Sequence, residues 1–341
     1  MTELPERSTK VSIIIPTYNR AGRMEKCLLS LLNQDFPKQS YEIIIIDDGS
    51  TDNTQSVIQG YLKQLTEPEI RYEYMKQGGP GAARNLGISL AKADLIALTE
   101  DDVQCEKDWL KNALPYFADE QLGGLEGTTL LEGGDPLLRL PARGQGFIPC
   151  NIFYRRKIFH QVGFFDAEFF NENLNLYFRE DGEFAFRVLN AGWKITRAEN
   201  VIVYHPRLFQ RSADLAKFVK RYYFDPLLYK KHPRQFREMI EVKKLGPFVL
   251  RRPLHILSFL NVISLLAMLI LRFKSASVSL ILLSIYFLTI TGLIYKFTLP
   301  GFYLFKNEGI IRPLIQFVKI PFIYLYWFIK GCFRFKSVPL L

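Results

Sequence analysis

Three consecutive carboxylates, Glu100, Asp101 and Asp102, close the run ADLIALTEDDV. On an extended strand end, carboxylates with one residue between them point to the same side. Glu100 and Asp102 could then share one hard cation, with Asp101 turned away as a bystander. Mg2+ or Mn2+ held by few carboxylates keeps open positions for diphosphate oxygens. In a chain of net charge +10 the same cluster also reads as an acidic turn with no ligand. A second acidic pair, Glu180 and Asp181, opens the stretch REDGEFAFRVLNAGWKI. Carboxylates suit a helix N-terminus in any case, and one placed there can also serve as general base for a hydroxyl nucleophile. His205, at the end of VIVYHP, is either structural or a metal or phosphate ligand.

These groups need elements to place them. VSIIIPTYN opens on a buried β-branched run, Val11 to Ile15, closed by Pro16; RMEKCLLSLLNQ has helical apolar spacing. YEIIIIDDGSTDNT is a second buried strand, with Ser50, Thr51 or Asp52 able to cap the helix that holds Val57, Ile58 and Leu62. IRYEYMK, the loop QGGPG, the helix AARNLGISLAKA and the strand DLIALTE continue the alternation. Strand and helix in short alternation imply a Rossmann-like α/β domain, a mostly parallel sheet with helices on both faces. Ligands in such sheets bind outside the C-terminal strand ends. Three of those ends are polar here: Thr17-Tyr18-Asn19, Asp47-Asp48-Gly49 and Glu100-Asp101-Asp102. Short polar side chains and a glycine let a ligand approach the backbone closely, although turn and cap chemistry uses the same residues. GGPGAARNLGI (78–88) favours anions at a helix N-terminus, with Arg84 and Asn85 on the first helical turn. It lacks the closing small residue of a dinucleotide fingerprint and follows the third strand, not the first.

The C-terminal part differs. Between Arg207 and Arg252 there are thirteen Lys/Arg against four Asp/Glu, interleaved with aromatics. Nucleic acid is one partner for such a stretch. Its place directly before an apolar segment favours anionic lipid headgroups instead. Residues 254–271 and 275–295 contain no Asp, Glu, Lys or Arg. At about 1.5 Å per residue each is roughly 27–32 Å long, the thickness of a hydrocarbon core. A tight linker at Arg272-Phe273-Lys274 makes them a helical hairpin. A third, aromatic-rich segment, 313–333, holds Lys319, Pro321 and Lys330 and reads equally as spanning or interfacial. The division expected is 1–206 for the α/β domain, 207–252 for a basic amphipathic juxtamembrane linker and 253–341 for a membrane region. The N-terminus MTELPERSTK has no apolar core, so it is not a secretory signal and the chain is expected to start in the cytosol. Cys27, Cys105, Cys150 and Cys332 show no paired or metal-ligand spacing, as expected of reduced thiols.

Taken together, VSIIIPTYNR, EIIIIDDGSTDNT, GGPGAARNLGI, ALTEDDV, NIFYRRKIFHQVGFFDAEF and REDGEFAFRVLNAGWKI resemble a family 2 glycosyltransferase with a GT-A-type nucleotide-sugar domain, over roughly residues 9 to 206. The resemblance implies that Pro16, Thr17, Tyr18 and Asn19, with Asp47, Asp48 and Arg84, line the nucleoside pocket beside Asn85. It matches TEDD to an Asp-x-Asp metal motif, with Glu100 in the first place, where Asp is common, and Asp102 in the last. It makes Asp181 the catalytic base with Glu180 beside it, and GFIPCNIFYRR the acceptor-side strand. The Gln-x-x-Arg-Trp motif of processive synthases is absent, since the tryptophans are Trp109, Trp193 and Trp327. The implied protein is an inverting, Mg2+- or Mn2+-dependent, non-processive transferase of the bacterial inner membrane, its catalytic domain cytoplasmic. It would use a nucleotide-diphosphate sugar and a hydroxyl acceptor, polyprenyl-linked or another glycan, with membrane lipid but no nucleic acid as partner. The alternatives are a catalytically silent scaffold or carrier-binding protein of a glycan assembly complex, and a sugar nucleotidyltransferase.

Overall fold

The computed structural model describes residues 9–63, 66–132, 139–140, 146–206, 211–245, 248–271, 276–298 and 303–339. The predicted linker Arg272-Phe273-Lys274 and the N-terminal eight residues lie outside them. The chain divides into two compact units, Met1–Arg207 and Leu208–Leu341.

In the first unit, β1 (Val11–Thr17), α1 (Ala21–Leu32), β2 (Tyr41–Asp47), α2 (Thr54–Leu62), β3 (Glu69–Tyr74), α3 (Gly79–Leu90) and β4 (Leu95–Leu98) follow one another. The next elements are β5 (Gln104–Cys105), α4 (Trp109–Ala113), β6 (Leu122–Leu131), β7 (Arg139–Leu140), β8 (Ile152–Arg155) and α5 (Arg156–Val162). The unit ends with β9 (Phe170–Asn171), β10 (Leu176–Tyr177), α6 (Glu180–Asn190) and β11 (Lys194–His205). The main sheet runs β3-β2-β1-β4-β8-β6-β11-β5, with β7 beside β6. Its first half, β3-β2-β1-β4, is parallel. Every residue of β1 and β2 is buried, and both faces are covered, so the strands read as unbroken isoleucine runs. α3 comes so close to β1 that a Cβ on Gly87 would lie 2.4 Å from Ile14 Cγ2.

The second half corrects the expected parallel order. β8 runs antiparallel to both β4 and β6, and β5 antiparallel to β11, while β11 and β6 are parallel. The sheet as a whole is therefore mixed. The parallel expectation came from the strand–helix alternation, which stops at β4. One helix start also differs: α2 begins at Thr54 after Asn53, with Asp52 Oδ1 accepting the Thr54 N–H at 3.0 Å.

The second unit contains α7 (Ser212–Lys220), α8 (Asp225–Lys231), α9 (Pro233–Met239), the hairpin β12 (Val242–Leu245) and β13 (Phe248–Arg251), α10 (Pro253–Leu271), α11 (Ala276–Thr298), α12 (Tyr303–Glu308) and α13 (Ile311–Phe335). The stretch read as a linker is thus folded into helices and a hairpin. Two helices, Pro253–Leu271 and Ala276–Phe297, are long and apolar enough to cross a membrane by length and composition. Within this pair Asn261 Nδ2 donates to Thr289 Oγ1 at 2.8 Å, a polar tie between two apolar helices.

Candidate active site

The parallel half of the sheet brings the polar strand ends together. Thr17 and Asp47 are register partners at the ends of β1 and β2, and the Asp48 N–H donates to the Thr17 carbonyl at 2.9 Å. β4 ends at Leu98, so Glu100, Asp101 and Asp102 sit in a turn, closed by the Val103 N–H on the Glu100 carbonyl at 3.2 Å. The strand-alternation argument therefore does not apply to them. The turn nonetheless separates the three acids. Asp101 is buried and accepts the Thr17 Oγ1 hydroxyl at 2.8 Å. Glu100 and Asp102 instead meet His205, which arrives at the end of β11, at 3.5 and 3.8 Å from its Nε2. One ligand atom from each of Glu100, Asp102 and His205 lies within 4.8 Å of the others. Two carboxylate oxygens and an imidazole nitrogen are a donor set that suits Mn2+ or Mg2+ with positions left over.

The cluster is surrounded by cations. Arg23 Nη1 stands 2.9 Å and Arg20 Nη1 3.6 Å from Asp102 Oδ2. Arg84 Nη2 is 3.4 Å from Glu100, and its Nη1 is 3.3 Å from Glu180. Arg84 is buried, and among the described residues its Nε has no hydrogen-bond partner. It therefore works as a strut between the acidic turn and the start of α6. Burial acts to lower the His205 pKa. The hydrogen bond to Glu100 and the charges of Glu100 and Asp102 outweigh it and push it up to about 9. Binding a cation there would require the imidazole to give up that proton.

α6 presents the second acidic pair because its far end is fixed. Phe184 stacks on Phe159 at 4.7 Å and meets Phe165 at 4.8 Å. Arg187 reaches Glu183 at 2.8 Å and the Phe164 carbonyl at 2.6 Å, tying the helix to the preceding turn. Glu180 is buried against Arg84, and Asp181 Oδ1 accepts the Gly182 N–H at 2.7 Å. Burial, with the Glu180 charge adding to it, pushes the Asp181 carboxyl up to about 7. Burial does the same to Asp101, also up to about 7, against the pull of the Thr17 hydrogen bond. Arg179, just before this pair, has a left-handed backbone with φ 76°, a sparsely populated region for a non-glycine residue.

A cleft opens over these groups. Of the residues proposed for a nucleoside, Pro16, Thr17, Tyr18, Asp48 and Arg84 line it, as do Glu100, Asp101 and Asp102. Asp48 also holds the Gly-rich loop, accepting the Gly78 and Gly79 N–H groups at 2.7 and 2.9 Å. Burial raises its pKa, and those two bonds oppose the rise. Three other residues are placed elsewhere. Asn19 accepts from the Thr51 and Asp52 N–H groups, joining the β1 and β2 loops. Asp47 is fully buried and accepts from Ser50 N–H and Tyr72 Oη, each at 2.7 Å. Asn85 pairs both ways with the Phe165 backbone. The lining also includes Arg20, Gln77, Phe170, Asn175 and Tyr177, which the sequence reading did not name. Arg20 and Arg23 had a signal, two cations just past PTYN at the end of a strand. Phe170 had none: Gly79, at φ 85°, lets it in so closely that a Cβ there would lie 2.6 Å from its ring.

The Glycosyl transferase family 2 model matches residues 12–188. Glycosyltransferase AglE of Haloferax volcanii is 28% identical over 210 residues, 58% of this chain and 66% of that one. The dolichyl N-acetyl-alpha-D-glucosaminyl phosphate 3-beta-D-2,3-diacetamido-2,3-dideoxy-beta-D-glucuronosyltransferase of Methanococcus voltae is 27% identical over 239 residues, 62% of this chain and 70% of that one. The chain thus spans less than two thirds of AglE, and it spans 19% of the length of some longer curated relatives. The mannosyltransferase PcManGT from Pyrobaculum calidifontis, solved with GDP-Man and Mn2+, superposes with a TM-score of 0.59 at 16% identity, covering 97% of this chain and 90% of that one. That likeness concerns the fold.

Proposed function

Because the chain belongs to glycosyl transferase family 2, we propose that it transfers a single sugar from a nucleotide-diphosphate sugar to a hydroxyl group, with inversion at the anomeric carbon. The observation that carries this reading is the convergence of Glu100, Asp102 and His205 at one edge of the cleft, joined through Arg84 to Glu180 beside Asp181. Thr17, Tyr18 and Asp48 would hold the nucleoside, and Arg20 and Arg84 would offset the diphosphate charge. A divalent cation held by Glu100, Asp102 and His205 would stabilise negative charge on the departing nucleoside diphosphate. Asp181 takes the proton of the acceptor hydroxyl. The freed oxygen forms the new bond to the anomeric carbon as the bond to the diphosphate oxygen breaks, so no sugar–enzyme intermediate is required.

The acceptor is read as lipid-linked, a polyprenyl-type carrier or a glycan upon it. Supporting this are the apolar helices α10 and α11 and the Methanococcus voltae relative, whose name specifies a dolichyl phosphate-linked sugar. Anchoring enzyme and acceptor to one membrane raises their effective concentration for each other. The basic stretch before α10 supports a catalytic unit on the cytoplasmic face of an inner membrane.

The test is a thermal-shift panel on the detergent-purified full chain. A UDP- or GDP-sugar with Mn2+ should raise the melting temperature, and chelation should abolish the rise. If no nucleotide sugar binds with or without Mn2+, the transferase reading falls and a scaffold or carrier-binding role takes its place.

A further inference from the structure

α13 has three distinct faces. Phe317, Ile320, Tyr324, Phe328 and Gly331 recur every three or four residues and are buried. Opposite them, Ile315, Val318, Phe322, Ile329 and Phe333 are exposed, Phe333 by 80%. Along one flank of that apolar stripe run Arg312, Lys319, Lys330 and Arg334. Successive members are seven, eleven and four residues apart, each close to a whole number of 3.6-residue turns. Residues 311–335 include no Asp or Glu. The helix therefore shows an exposed apolar stripe bordered by a ridge of positive charge and nothing negative.

The neighbours of α13 within its unit fix where it can lie. Its ring contacts with α10 gather at the first turn of that helix. His255 meets Phe328 at 4.9 Å, and its Nδ1 is 3.2 Å from Tyr324 Oη. Arg252, just before α10, also reaches Tyr324 Oη, at 3.5 Å. The middle of α13 thus crosses the start of α10. Its C-terminal part packs on Tyr223, whose ring is 5.3 Å from that of Phe335. A Cβ on Gly331 would come 2.1 Å from the Tyr223 carbonyl oxygen. The adjoining helix α7 carries Asp214, Lys217 and Lys220, with Lys217 exposed by 77%. Charged groups of this kind do not sit in hydrocarbon without large cost. A helix laid against them, with its midpoint at the start of α10, lies at the level of the headgroups.

We propose that α13 rests in the interface of an anionic leaflet rather than crossing the bilayer. Its apolar stripe would be sunk to the acyl boundary and its four cations set against lipid phosphates. This rests on the reading of α10 and α11 as membrane spans.

The experiment uses the full chain, with Cys332→Ser, in vesicles of phosphatidylcholine and phosphatidylglycerol. Single cysteines along α13 carry an environment-sensitive fluorophore, and lipids with quenching acyl chains report contact. Quenching should repeat every three to four residues, strong at Val318→Cys, Phe322→Cys and Ile329→Cys and weak at Lys319→Cys and Lys330→Cys. A membrane-impermeant thiol reagent should reach Arg312→Cys and Arg334→Cys from the same side. Quenching that peaks once, mid-helix, whatever the face, or labelling from opposite sides, means that α13 spans and overturns the proposal. A stripe that is shielded yet unquenched by lipid means that a protein covers it, a second copy of the chain included, and overturns it too. Equal quenching in pure phosphatidylcholine removes the anionic requirement. Release of the unlabelled chain by alkaline carbonate would instead bring down the underlying span reading, an outcome distinct from retention with two-sided labelling.

Discussion

The two acidic groups of the first unit are three or fewer residues long and face one another through a single arginine, yet they are built in opposite ways. The turn after β4 surrounds its two outward acids with Arg20, Arg23, Arg84 and His205. On the proposed reading, carboxylates set among cations suit the binding of a divalent ion and a diphosphate. The start of α6 has burial and a second carboxylate as its main influences, and Asp181 is lifted to about 7. A carboxyl that titrates near neutrality suits proton transfer. On the proposed reading, the same side-chain type serves charge binding in one place and proton exchange in the other.

The sharpest way to break this contrast is Asp181→Asn. If Asp181 is the base, the transfer rate falls by about 10²–10⁴-fold while Mn2+ and nucleotide binding persist; full activity in the variant sinks the assignment. The pH dependence follows from the direction of the shift. The base form exists above its pKa, so kcat/KM should climb as pH rises through about 7. Stability runs the other way. The folded carboxyl holds its proton up to about 7, whereas its ordinary value is 3.8, so the folded state binds more protons between those values and this group's contribution to stability declines as pH rises across that window. The asparagine variant should remove that part of the slope in a plot of melting temperature against pH.

Arg84 joins the two regions, and its removal is the next largest effect expected. It and Glu180 are both buried. Arg84→Met would leave Glu180 buried without its partner, at a cost on the order of 3–5 kcal/mol, read by denaturant unfolding. Arg84→Lys keeps the charge but cannot span both carboxylates with a planar fork. It should fold better than the methionine variant while still weakening Mn2+ binding. Equal stability of wild type and Arg84→Met would mean that the strut is not formed in solution.

Much of this arrangement was legible beforehand. The isoleucine runs of β1 and β2 can only be strands covered on both faces, and TEDD and REDGE stand out as acids after apolar segments. What sequence could not supply was the pairing across distance. Arg84 reads as a nucleoside contact until Glu100 and Glu180 are seen on either side of it, 16 and 96 residues away. Asn19, Asp47 and Asn85 carry the same side chains as ligand-binding residues, but here they bond to Thr51, Ser50 and Phe165. The direction of β8 escaped notice for a different reason: GFIPCNIFYRR reads as a strand, but side-chain alternation is the same whichever way a strand runs. In the second unit, the interfacial placement proposed for α13 depends on which of its faces Tyr223 and His255 cover, information that a hydropathy pattern does not contain.

The smallest effect concerns Arg23, and it probes the charge-binding side alone. Its guanidinium and a bound cation would compete for the same oxygen, Asp102 Oδ2. With 42% of the Arg23 side chain exposed, the pair should add no more than about 1 kcal/mol to stability, so Arg23→Gln should melt nearly as wild type does. Its removal should tighten Mn2+ binding in the absence of nucleotide by up to about fivefold, the equivalent of that same energy, measured by titrating the free-ion electron paramagnetic resonance signal. Asp181 lies outside this competition, so the pH profile of the variant should keep its rise near neutrality. A shifted rise would show that the two acidic regions share one charge balance, and the division of labour between them would have to be given up.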